Sequence, residues 1–178
     1  MRQDRRVART RTALIEAFNH LVLARRQKAI RVADIVAKAN VGRSTFYEHY
    51  RSTDDIRIEA LSRPLAALAD AAAGLGDLER LEGLLVHFWQ NRQRAREHLT
   101  GRAGERTTRL LVDMVEQRLG EAEAAIPRRL AAMQLAEAAF APVRGWLAAE
   151  APCTAAALAC TICNAGRALR CSLSPPDG

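Results

Sequence analysis

The sequence predicts an all-α protein, and three observations carry that prediction. Aromatic residues make up 4% of the 178, and Ala, Leu and Arg outnumber the β-branched residues, a balance that disfavours sandwiches and barrels. Apolar residues recur at three- and four-residue intervals through most of the chain. No stretch reads as a convincing strand, and there is no internal repeat. The length fits one domain or two small ones, and 49% hydrophobic residues are enough to build a core.

The elements follow in order. A first helix is expected over Asp4–Leu23, where Leu14, Ala17, Phe18, Leu21 and Val22 form one apolar stripe. A basic break, Ala24–Ile30, precedes a shorter helix marked by Val32, Ile35, Val36 and Ala39. Asn40-Val41-Gly42 reads as a turn, because Asn tolerates the left-handed conformation of a helix end and Gly is an acceptable N-cap. A helix of about two turns is expected over Arg43–Tyr50. Ser52-Thr53-Asp54-Asp55 then offers caps and first-turn acids for a long helix to about Ala73, with a kink or break predicted at Pro64.

Gly74 and Gly76 punctuate the chain. Leu78, Leu81, Leu84, Leu85, Phe88 and Trp89 form a broad apolar face, which Thr100-Gly101 and Gly104 end. Leu110, Leu111, Met114, Val115 and Leu119 form another. Pro127 sits where an Ala-rich helix can start, running to Ala149 with a kink predicted at Pro142. Pro152 opens a last helix to about Leu169. The expected organisation is a first helical unit over 1–52, a second over 53–171 and a flexible tail over 172–178.

Charge supports that division. Residues 1–57 hold thirteen Lys and Arg against six acids, an excess of seven that equals the whole net charge of the chain. The remainder is neutral. A basic segment joined to a neutral one points to a polyanion-binding module joined to a module for something else. Two short helices with a three- to four-residue turn inside that basic segment have the pattern of a helix-turn-helix. On the second helix, Phe46 and Tyr50 share one side and anchor it inward. The opposite side carries Ser44, Thr45 and Glu48, flanked by Arg43, Tyr47 and His49. Small polar residues let the backbone approach a groove, while Arg, Tyr and His offer hydrogen bonds to phosphates or base edges.

The stretch VADIVAKANVGRSTFYEHYRSTDDI resembles the DNA-binding domain of the TetR family of bacterial transcriptional regulators. Ala39, Val41, Thr45, Phe46, Tyr47 and His49 match the family pattern, and Tyr50 is an aromatic substitute. Asn40, Gly42 and Ser44 depart from it. Arg31 stands where the family usually has the Thr that starts the second helix. Thr53 stands where a phosphate-contacting Lys is common, so Arg31 with Arg51 or Arg57 would take over those contacts. The resemblance covers about Thr10–Ile56. It implies a recognition helix, Arg43–Tyr50, in the major groove, with Arg2, Arg5 and Arg6 on phosphates or in the minor groove. The DNA-contacting set is therefore Arg5, Arg6, Arg31, Arg43, Ser44, Thr45, Tyr47 and His49.

The same resemblance implies a C-terminal small-molecule pocket and a dimer formed by the last two helices. Pocket candidates are His87, Phe88, Trp89, Met114 and Phe140. Dimer candidates are Phe140, Leu147, Leu158, Ile162, Ala165 and Leu169, an apolar seam that a second copy would bury as a four-helix bundle. Cys153, Cys160, Cys163 and Cys171 share one third of the last helix, where they read as small packing residues, since metal and redox CxxC motifs usually sit in turns or at helix starts. His20, His49, His87 and His98 lack zinc-ligand spacing. No metal, cofactor or catalytic constellation is expected, and no phosphate-binding or hydrolase motif occurs.

The sequence therefore reads as a dimeric, effector-responsive regulator, a repressor of a palindromic operator, located in the cytoplasm. The absence of a run of about 18 apolar residues and of an apolar leader argues against a membrane or secreted protein. The competing reading is a basic helical bundle acting at a membrane surface or as an enzyme. Its first helix would need bulky apolar anchors, and Phe18 is the only aromatic there.

Overall fold

The computed structural model describes residues 2–24, 30–120 and 125–173, without the side chains of 2–5, 23, 24, 98 and 102. Most of the basic break, the Arg5 and His98 side chains, and the tail beyond 173 lie outside the described residues. The described chain is helical throughout: α1 (Arg2–Ala24), α2 (Val32–Ala39), α3 (Arg43–His49), α4 (Thr53–Ala72), α5 (Leu78–Gln90), α6 (Arg92–Leu99), α7 (Gly101–Leu119), α8 (Arg128–Ala148) and α9 (Ala155–Leu173). It divides into two compact units, 1–63 and 64–178, the division falling within α4 at Pro64.

The N-terminal unit is built on large side chains. Leu14, Phe18, Ile35, Phe46 and Ile56 are each at most 3% exposed, and Val22, Ile30, Val32 and Val41 pack around them. The turn between α2 and α3 is as expected: Asn40 is left-handed at φ 53°, and the Val41 N–H donates to the Val36 carbonyl at 3.1 Å. The Asp34 carboxylate accepts from the Arg31 N–H at 3.0 Å, fixing the start of α2. At the start of α4, Asp55 accepts from the N–H groups of Arg51 and Ser52 while its own N–H donates to the Ser52 hydroxyl. This reciprocal cap is what the Ser52–Asp55 run foretold.

The C-terminal unit packs on small residues. Ala67, Ala69, Ala71, Ala72 and Ala73 of the α4 end, with Ala131, Ala132, Ala136 and Ala159, are buried among Leu81, Leu85, Leu111, Leu135 and Phe140. Close approach is visible at Gly104 and Gly166. A Cβ on Gly104 would stand 2.5 Å from the Leu99 carbonyl oxygen, at the corner between α6 and α7. One on Gly166 of α9 would overlap the Ala71 carbonyl oxygen of α4. Asp70 adds polar ties, accepting from Arg118 Nε of α7 at 2.5 Å and facing Arg80 of α5 at 3.5 Å.

Several expectations are corrected. Of the kink or break predicted at Pro64, the break does not occur, since Pro64 lies inside α4, as Pro142 lies inside α8. The stretch from Leu78 to the Thr100-Gly101 break holds two helices, parted at Asn91, whose side-chain amide donates to the His87 carbonyl at 3.0 Å. Of the face predicted on α5, Leu81 and Leu85 are buried, whereas Leu78 and Trp89 are 47% and 41% exposed. Phe140, Leu147, Leu158 and Ile162, placed by sequence on a seam between subunits, are 0 to 7% exposed within one chain. Within one chain that stripe serves the packing of α9 on α5 and α8. Ala165 is exposed and Leu169 half-buried.

Candidate nucleic-acid interface

The recognition face is set by how α3 is anchored. Phe46 is fully buried and Tyr50 4% exposed, their rings 5.6 Å apart, so the aromatic side of the helix is fixed in the core. The helix period then places the other side outward. Arg43, Ser44 and Glu48 are exposed, Tyr47 is 52% exposed, and Thr45 and His49 are half-buried. Tyr47 rests its ring edge on Phe46 at 5.5 Å, which supports the phenol while leaving it in water. An aromatic so exposed gains little from folding.

An open groove between α1 and α3 is lined by Arg6, Val7, Thr10, Thr45, Glu48 and His49 with the turn residues Val41 and Gly42. It brings Arg6 beside Thr45 and His49, three of the residues singled out by sequence. Arg31 stands apart, exposed at the start of α2. The position of the Arg5 side chain lies outside the described residues.

The charge arithmetic missed an internal pairing. Arg11 of α1 donates to both carboxylate oxygens of Glu59 on α4, at 3.2 and 2.5 Å, so this guanidinium is tied to the fold. The hydrogen bonds to Glu59 raise its pKa further. Arg57 likewise pairs with Asp54 at 2.9 Å. The Arg11 guanidinium lies 6.0 Å over the Tyr50 ring, whose hydroxyl is buried and without a hydrogen-bond partner among the described residues. Burial pushes its phenol above the ordinary value, and the Glu59 charge adds to the rise. Forty-eight residues separate Arg11 from Glu59, so no local pattern could have announced the pair.

The pocket candidates are scattered. His87 is exposed and faces Asn91, and Phe88 and Met114 are half-buried. Trp89 stacks on Trp146 at 4.7 Å with the Arg92 guanidinium 4.8 Å over its ring. Phe140 is fully buried beneath Arg144. Among the described residues no cluster of three metal-ligating side chains occurs, and no helix is long and apolar enough to cross a membrane.

Comparison with known proteins agrees with this geometry. No family model matches the chain. A segment of 68 residues, 38% of the chain, is 38% identical to YxbF of Bacillus subtilis (strain 168), described as an uncharacterized HTH-type transcriptional regulator, and spans 18% of that protein's length. The solved structure of a TetR transcriptional regulator from Streptococcus agalactiae 2603V is 27% identical, with a TM-score of 0.54 over 93% of this chain and 98% of that one. The dihydroxyacetone kinase operon activator DhaS shares the fold at 18% identity, with a TM-score of 0.52 over 93% of this chain and 98% of its own. In its all-helical fold, and in the buried anchor and exposed polar face of α3, the chain is similar to transcriptional regulators of the TetR type.

Proposed function

We propose that the chain regulates transcription by binding double-stranded DNA as a dimer, and that a small molecule in its C-terminal unit controls the binding. The observation that carries this reading is α3: a two-turn helix fixed by Phe46 and Tyr50, with Arg43, Ser44 and Tyr47 exposed on its free side. Arg6, Thr45 and His49 extend that surface along the groove to α1, and Arg31 adds a cation at the start of α2. Residues 1–52 supply the DNA contacts, and 53–171 supply the effector and dimer functions. Repression is the simplest output, since a dimer seated on a promoter excludes other proteins. DhaS is named an activator, so this fold also serves the opposite sign. No catalytic role is proposed. The reading places the protein in the cytoplasm, with bacterial DNA.

The dimer surface is drawn from what α8 and α9 leave exposed: Leu130, Met133 and Ala141 on α8, and Ala157, Thr161, Ala165 and Ala168 on α9. Leu130 and Met133 are 52% and 48% exposed, large apolar side chains with a use for a partner. The small residues of α9 permit close helix approach.

Selection from a pool of random-sequence duplexes tests the proposal. The expected product is an inverted repeat whose half-sites lie about 34–36 Å apart, or a multiple of that. Log affinity should fall with log salt at a slope of about −0.9 per neutralised phosphate. A pool that shows no enrichment, with salt-independent binding, would overturn the reading.

A further inference from the structure

We propose that Cys160 and Cys163 form a peroxide-responsive thiol pair whose oxidation disturbs the contact between α9 and α4. Packing explains Cys163, which is 3% exposed, but it does not explain Cys160, which stands in solvent one helical turn earlier. Side chains three apart on a helix have Cβ atoms about 5–6 Å apart, whereas a disulfide needs about 3.5–4.5 Å. Closing the pair therefore asks one turn of α9 to tighten by an ångström or two, with no other chain movement.

The surroundings of Cys160 are specific. Asn164 Nδ2 donates to Cys160 Sγ at 3.6 Å, and the Asn164 Oδ1 accepts from Arg167 Nη2 at 2.8 Å. The guanidinium thus fixes which end of the amide faces the sulfur. Arg167 also favours the charged form of Cys163, against burial that pushes this thiol up. The exposed sulfur is placed to attack and the buried one to follow. In the first step the Cys160 thiolate attacks one oxygen of hydrogen peroxide and the O–O bond breaks. This leaves a sulfenic acid, while the departing hydroxide takes the thiol's proton and becomes water. In the second step Cys163 sulfur attacks the Cys160 sulfur, the S–S bond forms, and the hydroxyl leaves as water with the Cys163 proton. Two thiols and one peroxide give one disulfide and two waters.

The next turn of α9 holds Gly166, where an added Cβ would overlap the Ala71 carbonyl oxygen of α4. Arg170 follows, donating to the Ala73 carbonyl at 2.6 Å. Tightening the 160–163 turn acts directly on these contacts at the C-terminal end of α4, the helix whose first turns belong to the compact unit 1–63.

The link to DNA rests on the proposed function; the chemistry does not. The test uses the full chain with Cys153→Ser and Cys171→Ser, exposed to hydrogen peroxide. Intact mass should fall by about 2 Da, reversed by dithiothreitol, with one cross-linked peptide holding both remaining cysteines. Adding Cys163→Ser should stop the reaction at a sulfenic acid that dimedone traps on Cys160, and adding Cys160→Ser should abolish oxidation at the same dose. The disulfide form should bind a selected duplex about tenfold more weakly than the reduced form. Unchanged mass, or a disulfide joining the Cys160 residues of two copies, would overturn the thiol pair. A disulfide that leaves duplex affinity unchanged would overturn its action on α4. A reduced chain that binds no duplex would instead count against the proposed function, with the mass result still deciding the chemistry.

Discussion

The two units bury their helices by opposite means. In the N-terminal unit a few large side chains, Leu14, Phe18, Ile35, Phe46 and Ile56, fill the space between the helices. In the C-terminal unit helices come together on Ala and Gly, with backbone close to backbone at Gly166. The difference teaches where each unit is vulnerable. The first should fail when volume is removed, the second when volume is added. On α3 it also separates the residues that hold the helix, Phe46 and Tyr50, from those left exposed, such as Tyr47.

Phe46→Ala is the largest expected effect. It removes a fully buried ring from the smaller core and should cost about 3–5 kcal/mol, read as a shift in the denaturation midpoint. A loss under about 1 kcal/mol would break the comparison on its first side. Gly166→Ala should cost about 1–3 kcal/mol although alanine is the better helix former, because the added methyl overlaps the Ala71 carbonyl oxygen. A stabilised Gly166→Ala protein would show that the helices can part there cheaply.

Tyr50→Phe sharpens the comparison with a smaller change of opposite sign. The ring stays in place and the buried hydroxyl without a partner is removed, so stability should rise by about 1 kcal/mol. The wild-type phenol is raised by burial and by Glu59, so its neutral form is favoured in the folded state. Its contribution is full below the ordinary tyrosine range, about pH 10, and is lost as pH climbs through the raised value. Alkaline unfolding should therefore begin later in Tyr50→Phe. Identical alkaline limbs for the two proteins would remove Tyr50 from the account.

Much of the N-terminal unit was legible because its signals are local. The stripe from Leu14 to Val22 and the Asn40-Val41-Gly42 turn each lie within a few residues of what they determine. So does the Ser52–Asp55 cap. The inward and outward sides of α3 followed from the helix period, as Phe46 and Tyr47 show. The Arg11–Glu59 pair and the orphan Tyr50 hydroxyl were not legible, since they depend on helices far apart in sequence. In the C-terminal unit the period gave the helices but not which face goes inside. Alanine is at home on either side of a helix, so an Ala-rich sequence does not rank its faces. That is why Leu158 and Ile162 read as a seam between subunits when they belong to the core of one.

Tyr47→Ala tests the central claim most directly, because Tyr47 is 52% exposed and its neighbour Phe46 carries the packing. Titration of the selected duplex against Tyr47→Ala, with thermal melting of the same sample, separates contact from folding. The account expects duplex affinity to fall by about tenfold or more, as for the loss of a contact worth about 1.4 kcal/mol, while the melting temperature stays within about 2 °C. Wild-type affinity from a folded Tyr47→Ala protein would contradict it, and would mean that the exposed face of α3 does not touch DNA.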